Sequence, residues 1–248
     1  MGVLVAVFTV AFFFSMLGMG GGQLYTPIFY WLGLDLRTQA VPLALWLSFS
    51  SQSAAAMNYW RYGLVQFRTA LPILIGLIGG APVGALIGHH APQPLILFLF
   101  ATMTVVALLQ VWLRRPSAEA IGSGPGALVF SLVGGAAIGF LAGMIGRGGG
   151  SLVVPLLLLL GVDPKRAAAT SSFAVCFSSL AGAISHLAIS GPSLPVHWLI
   201  LLTGVVAVGA VTGSRYMAKR LRSRTVRPLF MVVLAGVAAG LYWDVFAA

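Results

Sequence analysis

The sequence predicts an all-α polytopic membrane protein of two repeats, each of four apolar segments, with the first segment of each half broken by glycines. Three observations carry this. Hydrophobic residues make up 59% of the 248, charged residues 7%, and the mean hydropathy is +1.01. Soluble domains carry about 25% charge, so this chain has too little polar surface to cover itself in water. Disorder needs low hydrophobicity and high charge. Second, eight apolar segments recur along the chain, where a spanning helix needs about 20 residues. Third, the two halves match at a constant offset of 128 residues.

The segments fall at 3–32, 38–60, 69–88, 94–113, 127–160, 167–188, 196–216 and 226–244. The first and fifth are over-long and interrupted by Gly18-Met19-Gly20-Gly21-Gly22 and Gly146-Arg147-Gly148-Gly149-Gly150. Glycine is costly inside a helix, so four in five positions predict unwinding there. The longest polar stretch, Arg114–Gly126, divides the chain into a first repeat at 1–115, a linker at 116–126 and a second repeat at 127–248.

The repeat aligns GMGGGQLYTPIFYWLGLDLR with GRGGGSLVVPLLLLLGVDPK without a gap. Pro27 meets Pro155, Gly33 meets Gly161, Asp35 meets Asp163, and Ser50 and Ser51 meet Ser178 and Ser179. Further on the offset shifts by three, and Gly84 and Gly88 meet Gly209 and Gly213. Internal duplication of this kind is a signature of secondary transporters.

Charge reinforces the membrane reading. Lys and Arg number 14 against 4 Asp and Glu, a formal net charge of +10. No basic run is interleaved with aromatics on a soluble domain, so nucleic acid is not an expected partner. Basic residues in membrane proteins collect in cytoplasmic loops. The single cysteine, Cys176, excludes an internal disulfide and a cysteine-rich metal site. With no Lys or Arg before Arg37, the start of the chain is expected to be mature protein rather than a signal peptide.

The same charges choose a topology. If all eight segments span, nine basic residues fall on one side and four (Arg61, Arg68, Arg114 and Arg115) on the other. If the first and fifth turn back at their glycines, twelve collect on one side and Arg37 stands alone on the other, with Arg147 left out of both counts. Twelve against one is the bias the positive-inside rule expects. Inverted repeats with re-entrant first and fifth segments and both termini outside are therefore preferred. Fully spanning broken helices in parallel repeats are the alternative.

Two half-helices are expected to begin near Gln23 and Ser151, with Pro27 and Pro155 in their first turns, where proline is tolerated. A helix N-terminus offers free N–H groups and about half a positive charge. Bare glycines let those groups approach a ligand. Gly20, Gly21, Gly22, Gln23, Gly148, Gly149, Gly150 and Ser151 are therefore candidate substrate-binding residues. The ordinary alternative, tight packing alone, explains one cluster better than two matched ones. Arg147 is the basic residue deep in an apolar segment, opposite Met19. An intramembrane charge is costly and by default functional, and a guanidinium suits an oxyanion.

Ser50, Ser51, Ser178 and Ser179 are candidates to line a polar path, although most such hydroxyls only bond between helices. Asn58 and its counterpart His186 are candidate gate residues. The glycine ladders at 80-84-88, 135-139-143, 209-213 and 236-240 read as helix packing. Asp35, Glu119, Asp163 and Asp244 all fall in loops or at segment ends, which leaves no evident proton relay.

The paired glycine clusters, each followed by Pro27 or Pro155 and then by Gly33-Leu34-Asp35 or Gly161-Val162-Asp163, resemble the TauE/SafE family of sulfite exporters and related anion transporters. The resemblance covers essentially the whole chain. It implies a multi-pass permease of the bacterial inner membrane for a sulfur-containing anion such as sulfite, thiosulfate or an organosulfonate. The expected partners are a small anionic solute and membrane lipid, with homodimer formation open and no cofactor or metal. A channel is the first alternative. An intramembrane Ser/His hydrolase using Ser151 and His186 is the second, disfavoured because the duplicated feature is the half-helix rather than the hydroxyl.

Overall fold

The computed structural model describes residues 2–90, 92, 98, 102, 105, 108, 109, 112, 124–145, 149–190 and 196–246. Among them are α1 (Gly2–Leu17), α2 (Gly22–Trp31), a π turn (Leu36–Ala40), α3 (Val41–Arg61) and α4 (Phe67–His90). The second half supplies α5 (Pro125–Ile145), α6 (Gly150–Leu159), α7 (Pro164–Ser190), α8 (Val196–Arg220) and α9 (Ser223–Phe246). No strand occurs among the described residues. The segment predicted at 94–113 and the linker at 116–126 fall largely outside them.

Stretches of α4, α5, α7 and α8 are long and apolar enough to cross a membrane. Ile75, Val133, Ile200 and Val232 expose large apolar side chains to the surroundings, as a bilayer-facing surface does. Each predicted glycine break is real: α1 stops at Leu17 and α2 starts at Gly22, while in the second half Gly149 leaves the helix and α6 starts at Gly150. At 10 residues each, α2 and α6 are about 15 Å long, half the thickness of a hydrocarbon core.

Small residues let the long helices approach backbone to backbone, where dispersion contacts hold membrane helices together. Gly76, Gly80, Gly84 and Gly88 of α4 lie against Leu132, Ala136, Phe140 and Met144 of α5, so these two helices run in the same direction. Gly209 and Gly213 of α8 lie likewise against Phe8 and Phe12 of α1. Gly236 and Gly240 differ from expectation. A methyl group added at either would meet open space, so the last ladder packs on nothing among the described residues.

The contacts also give the direction of the remaining helices. Trp46 Nε1 donates to Thr203 Oγ1 at 3.1 Å and Asn58 Nδ2 to Ser214 Oγ at 2.9 Å, so α3 and α8 are parallel. Leu45 lies against Gly182, and Ser53 Oγ is 3.2 Å from Cys176 Sγ, so α3 and its repeat counterpart α7 are antiparallel. Tyr59 OH donates to Ser15 O at 2.8 Å, which joins the C-terminal ends of α1 and α3. With α1 and α3 running the same way, the intervening α2 carries the chain back. The packing pairs answer one another across the halves: α1 with α8 and α5 with α4, α3 with α8 and α7 with α4.

The two ends of the bundle differ. At one, Gln66 N donates to Thr170 Oγ1 at 3.1 Å, and Lys165 Nζ donates to Ala218 O at 2.7 Å and Leu221 O at 3.0 Å. That end gathers the turns carrying Arg61, Lys165, Arg166, Lys219, Arg220 and Arg222. At the other, Val3, Leu32, Leu34, Leu43 and Trp198 border an apolar cleft of about 280 Å³. This cleft touches the C-terminal half of α2 and is remote in chemistry from the glycine motifs.

Candidate functional site

The site is built on the way each glycine motif stops one helix and starts another. Gly18 ends α1 at φ +68°, with Met19 N–H donating to Phe14 O at 3.1 Å, a glycine C-cap. A Cβ at Gly18 would overlap the Ala168 carbonyl of α7, and Ser171 Oγ donates to Gly18 O at 2.7 Å. This end of α1 is therefore fixed to α7. Gly21 then caps α2, and the N–H groups of Leu24 and Tyr25 return to its carbonyl at 3.0 and 2.9 Å.

In the second half Gly149, at φ +58°, caps α6, and Leu152 and Val153 donate to its carbonyl at 3.1 and 3.3 Å. Gly150 presses on the Met19 backbone, whose carbonyl a Cβ would overlap. The second half-helix therefore starts on the turn of the first motif. Gln23 Nε2 donates to Ser151 Oγ. The first N–H groups of an α-helix have no intrahelical partner, and both helices begin at this junction with their positive dipole ends.

Buried polar side chains surround it. A Cβ at Gly20 would lie 3.7 Å from Gln52 Cγ, 3.8 Å from Ser48 Cβ and 3.2 Å from Val175 Cγ1. Gln52 and Ser48 are completely buried, and neither Oε1 nor Nε2 of Gln52, nor Ser48 Oγ, has a hydrogen-bond partner among the described residues. Gln23 Oε1, Tyr25 OH, Ser178 Oγ and Ser179 Oγ are in the same condition. An unmet buried polar group costs about 1–3 kcal/mol, and Gln52, Ser48, Gln23 and Tyr25 bring several of them to the glycine motifs.

Gly20, Gly21, Gly22, Gln23, Gly149, Gly150 and Ser151 thus come together, all buried. Arg147 and Gly148 lie outside the described residues. Ser50 and Ser51 donate into their own helix, to Trp46 O and Ser48 O, both at 3.0 Å. Asn58 is buried and bonded to α8 through Ser214 Oγ and, at 3.2 Å, Val211 O. His186 Nε2 is 3.2 Å from Gly143 O of α5. Pro27 and Pro155 sit in the second turn of their helices, not the first. Lacking N–H groups, they leave the carbonyls of Gln23 and Ser151 without the usual donor four residues on.

Gln52 and Tyr25 were not singled out by sequence. Their repeat counterparts are Leu180 and Val153, so matching polar residues across the halves passes over them. The signal that finds them is burial without a partner.

Short helices broken in pairs, whose N-termini meet between two duplicated halves, define a class: helical membrane transporters with discontinuous helices. A family profile described as "Sulfite exporter TauE/SafE" matches residues 3–241. The chain belongs to this family of membrane transporters. It is 28% identical to "Probable membrane transporter protein YunE" of Bacillus subtilis (strain 168), over 93% of this chain and 92% of that one. It is 26% identical to "Probable membrane transporter protein y4hK" of Sinorhizobium fredii, over 98% of both. "Sulfite exporter TauE/SafE family protein 3" of Arabidopsis thaliana is 27% identical over 84% of this chain, which spans 38% of that longer protein. No solved structure matches the chain.

Proposed function

We propose that the protein is a permease for a small anion, best a sulfur-containing oxyanion, bound between the N-termini of α2 and α6 near the bilayer midplane. The observation that carries this is the Gln23–Ser151 hydrogen bond, which seats the starts of two opposed half-helices side by side. Partial positive charge and unpaired N–H groups converge there from both halves. Arg147, within the second motif, adds the formal charge that clamps an oxyanion.

The reading includes inverted repeats, 1–115 and 127–248, in a bacterial cell membrane with the basic end of the bundle cytoplasmic. Its support is the antiparallel course of α3 and α7 and the gathering of basic turns at one end. Expelling one negative charge from a negative interior gains about 2.3 kcal/mol per 100 mV, so voltage drives export without a proton relay. Ser151 Oγ accepts from Gln23 and His186 Nε2 lies 3.2 Å from Gly143 O of α5, partners that favour a carrier over a Ser/His hydrolase.

The test is uptake into proteoliposomes of sulfite, sulfate, thiosulfate, sulfoacetate and chloride. Saturable flux of one or more of the sulfur anions supports a carrier. Non-saturating flux of all of them favours a channel, and no anion flux defeats the proposal.

A further inference from the structure

We propose that Gln52 makes the site selective for a hydrogen oxyanion, carrying one negative charge and one O–H, over the fully deprotonated dianion. This rests on the anion reading above and names the substrate class within it. Gln52 lies midway along α3, beside Gly20 of the first motif, and is completely buried. Both Oε1 and Nε2 lack partners among the described residues. The amide therefore presents one donor group and one acceptor whichever way round it is placed.

A dianion offers acceptors only. It takes N–H from the amide but leaves Oε1 buried, unmet and facing negative oxygens. A singly protonated oxyanion gives its O–H to Oε1 while another of its oxygens accepts from Nε2, so both ends of the amide are met at once. The hydroxyls of Ser48 and Tyr25 do not discriminate, because each rotates to donate or to accept.

Titratable groups on the elements around Gln52 are Tyr25, Tyr30, Tyr59, Cys176, His186, His197 and Tyr216. The charged residues of those elements are Asp35 and Arg37 before α3, Arg61 at its end, Asp163 before α7, Lys165 and Arg166 at its start, and Arg215, Lys219 and Arg220 on α8. A protein titration would change the binding of every monoanion. Nitrate, a monoanion without a proton throughout, therefore serves as the internal control.

The experiment measures binding of sulfite and of nitrate to the purified full-length protein, at pH values on both sides of the second ionisation of sulfite. In the parent, affinity for total sulfite should fall with the hydrogen sulfite fraction as pH rises, while nitrate affinity stays level. Gln52→Met, which fills the space with an apolar chain, should lose about tenfold in hydrogen sulfite affinity and less in nitrate affinity, because nitrate uses only the donor end of the amide. The inference is overturned if parent affinity follows the dianion or ignores protonation, or if Gln52→Met binds sulfite as the parent does. If the variant fails to fold, a parent profile that follows the dianion or ignores protonation still overturns the inference. If the parent binds neither anion, the anion reading itself fails, and this inference with it.

Discussion

Gln23 and Ser151 occupy the same position in the two halves, 128 residues apart, and hydrogen-bond to each other. Equivalent residues that touch lie on the relation that exchanges the halves. The starts of the two half-helices therefore touch at one shared point. The pair is also chemically unequal, an amide against a hydroxyl. Two copies of one scaffold thus make an asymmetric site.

Gly150→Ala should be strongly destabilising, because the added methyl overlaps the Met19 carbonyl. Neither backbone is free to retreat, and overpacking of this kind costs about 1–3 kcal/mol. Gly236→Ala, where the methyl meets open space in α9, should be neutral or gain up to about 1 kcal/mol in helix propensity. Thermal unfolding of the two variants in detergent checks this, and equal melting points would contradict the packing at the motif.

Asn58→Ala should lower stability by about 1 kcal/mol, since it removes the donor that joins α3 to Ser214 and Val211 of α8. Ser214→Ala should cost a similar amount. The double variant should cost less than the sum, because both changes remove the same bond. Additive losses would mean that the contact carries no energy. A change in transport rate with unchanged stability would instead favour the gate role.

Arg147→Ala should abolish transport while the protein still inserts and folds. Arg147→Lys should recover part, because an ammonium keeps the charge but loses the planar two-donor fork. Met19→Ala, at the uncharged counterpart, should matter less. Initial rates in proteoliposomes separate these cases, and parental transport by Arg147→Ala would leave the site to backbone N–H groups alone.

Membrane sidedness is tested by cysteine labelling in a Cys176→Ser background, which carries no other thiol. Gly63→Cys and Leu221→Cys, both in turns at the basic end, should react only with reagent delivered to the cytoplasmic side. Thr38→Cys and a cysteine added at the C-terminus should react from outside. A cytoplasmic C-terminus would sink the re-entrant arrangement.

Composition, segment length and repeat spacing are properties of the chain taken in order, and from them the sequence determined the helical membrane class, the duplication and both helix breaks. Four glycines in five positions cost a helix about 1 kcal/mol each, so the breaks before Gly22 and Gly150 were legible. The positive-inside count favoured a returning first segment for a similar reason, since loop charges are read without knowing contacts. Which residues meet was decided only by tertiary structure. Ser50 and Ser51 match Ser178 and Ser179 in sequence, yet the first pair bonds into its own helix while the second has no hydrogen-bond partner among the described residues. Gln52 matches a leucine and still stands beside Gly20 with its amide unmet. A side chain's hydrogen bonds depend on the neighbours that helix packing brings within about 3 Å, and those come from helices more than a hundred residues away in the chain.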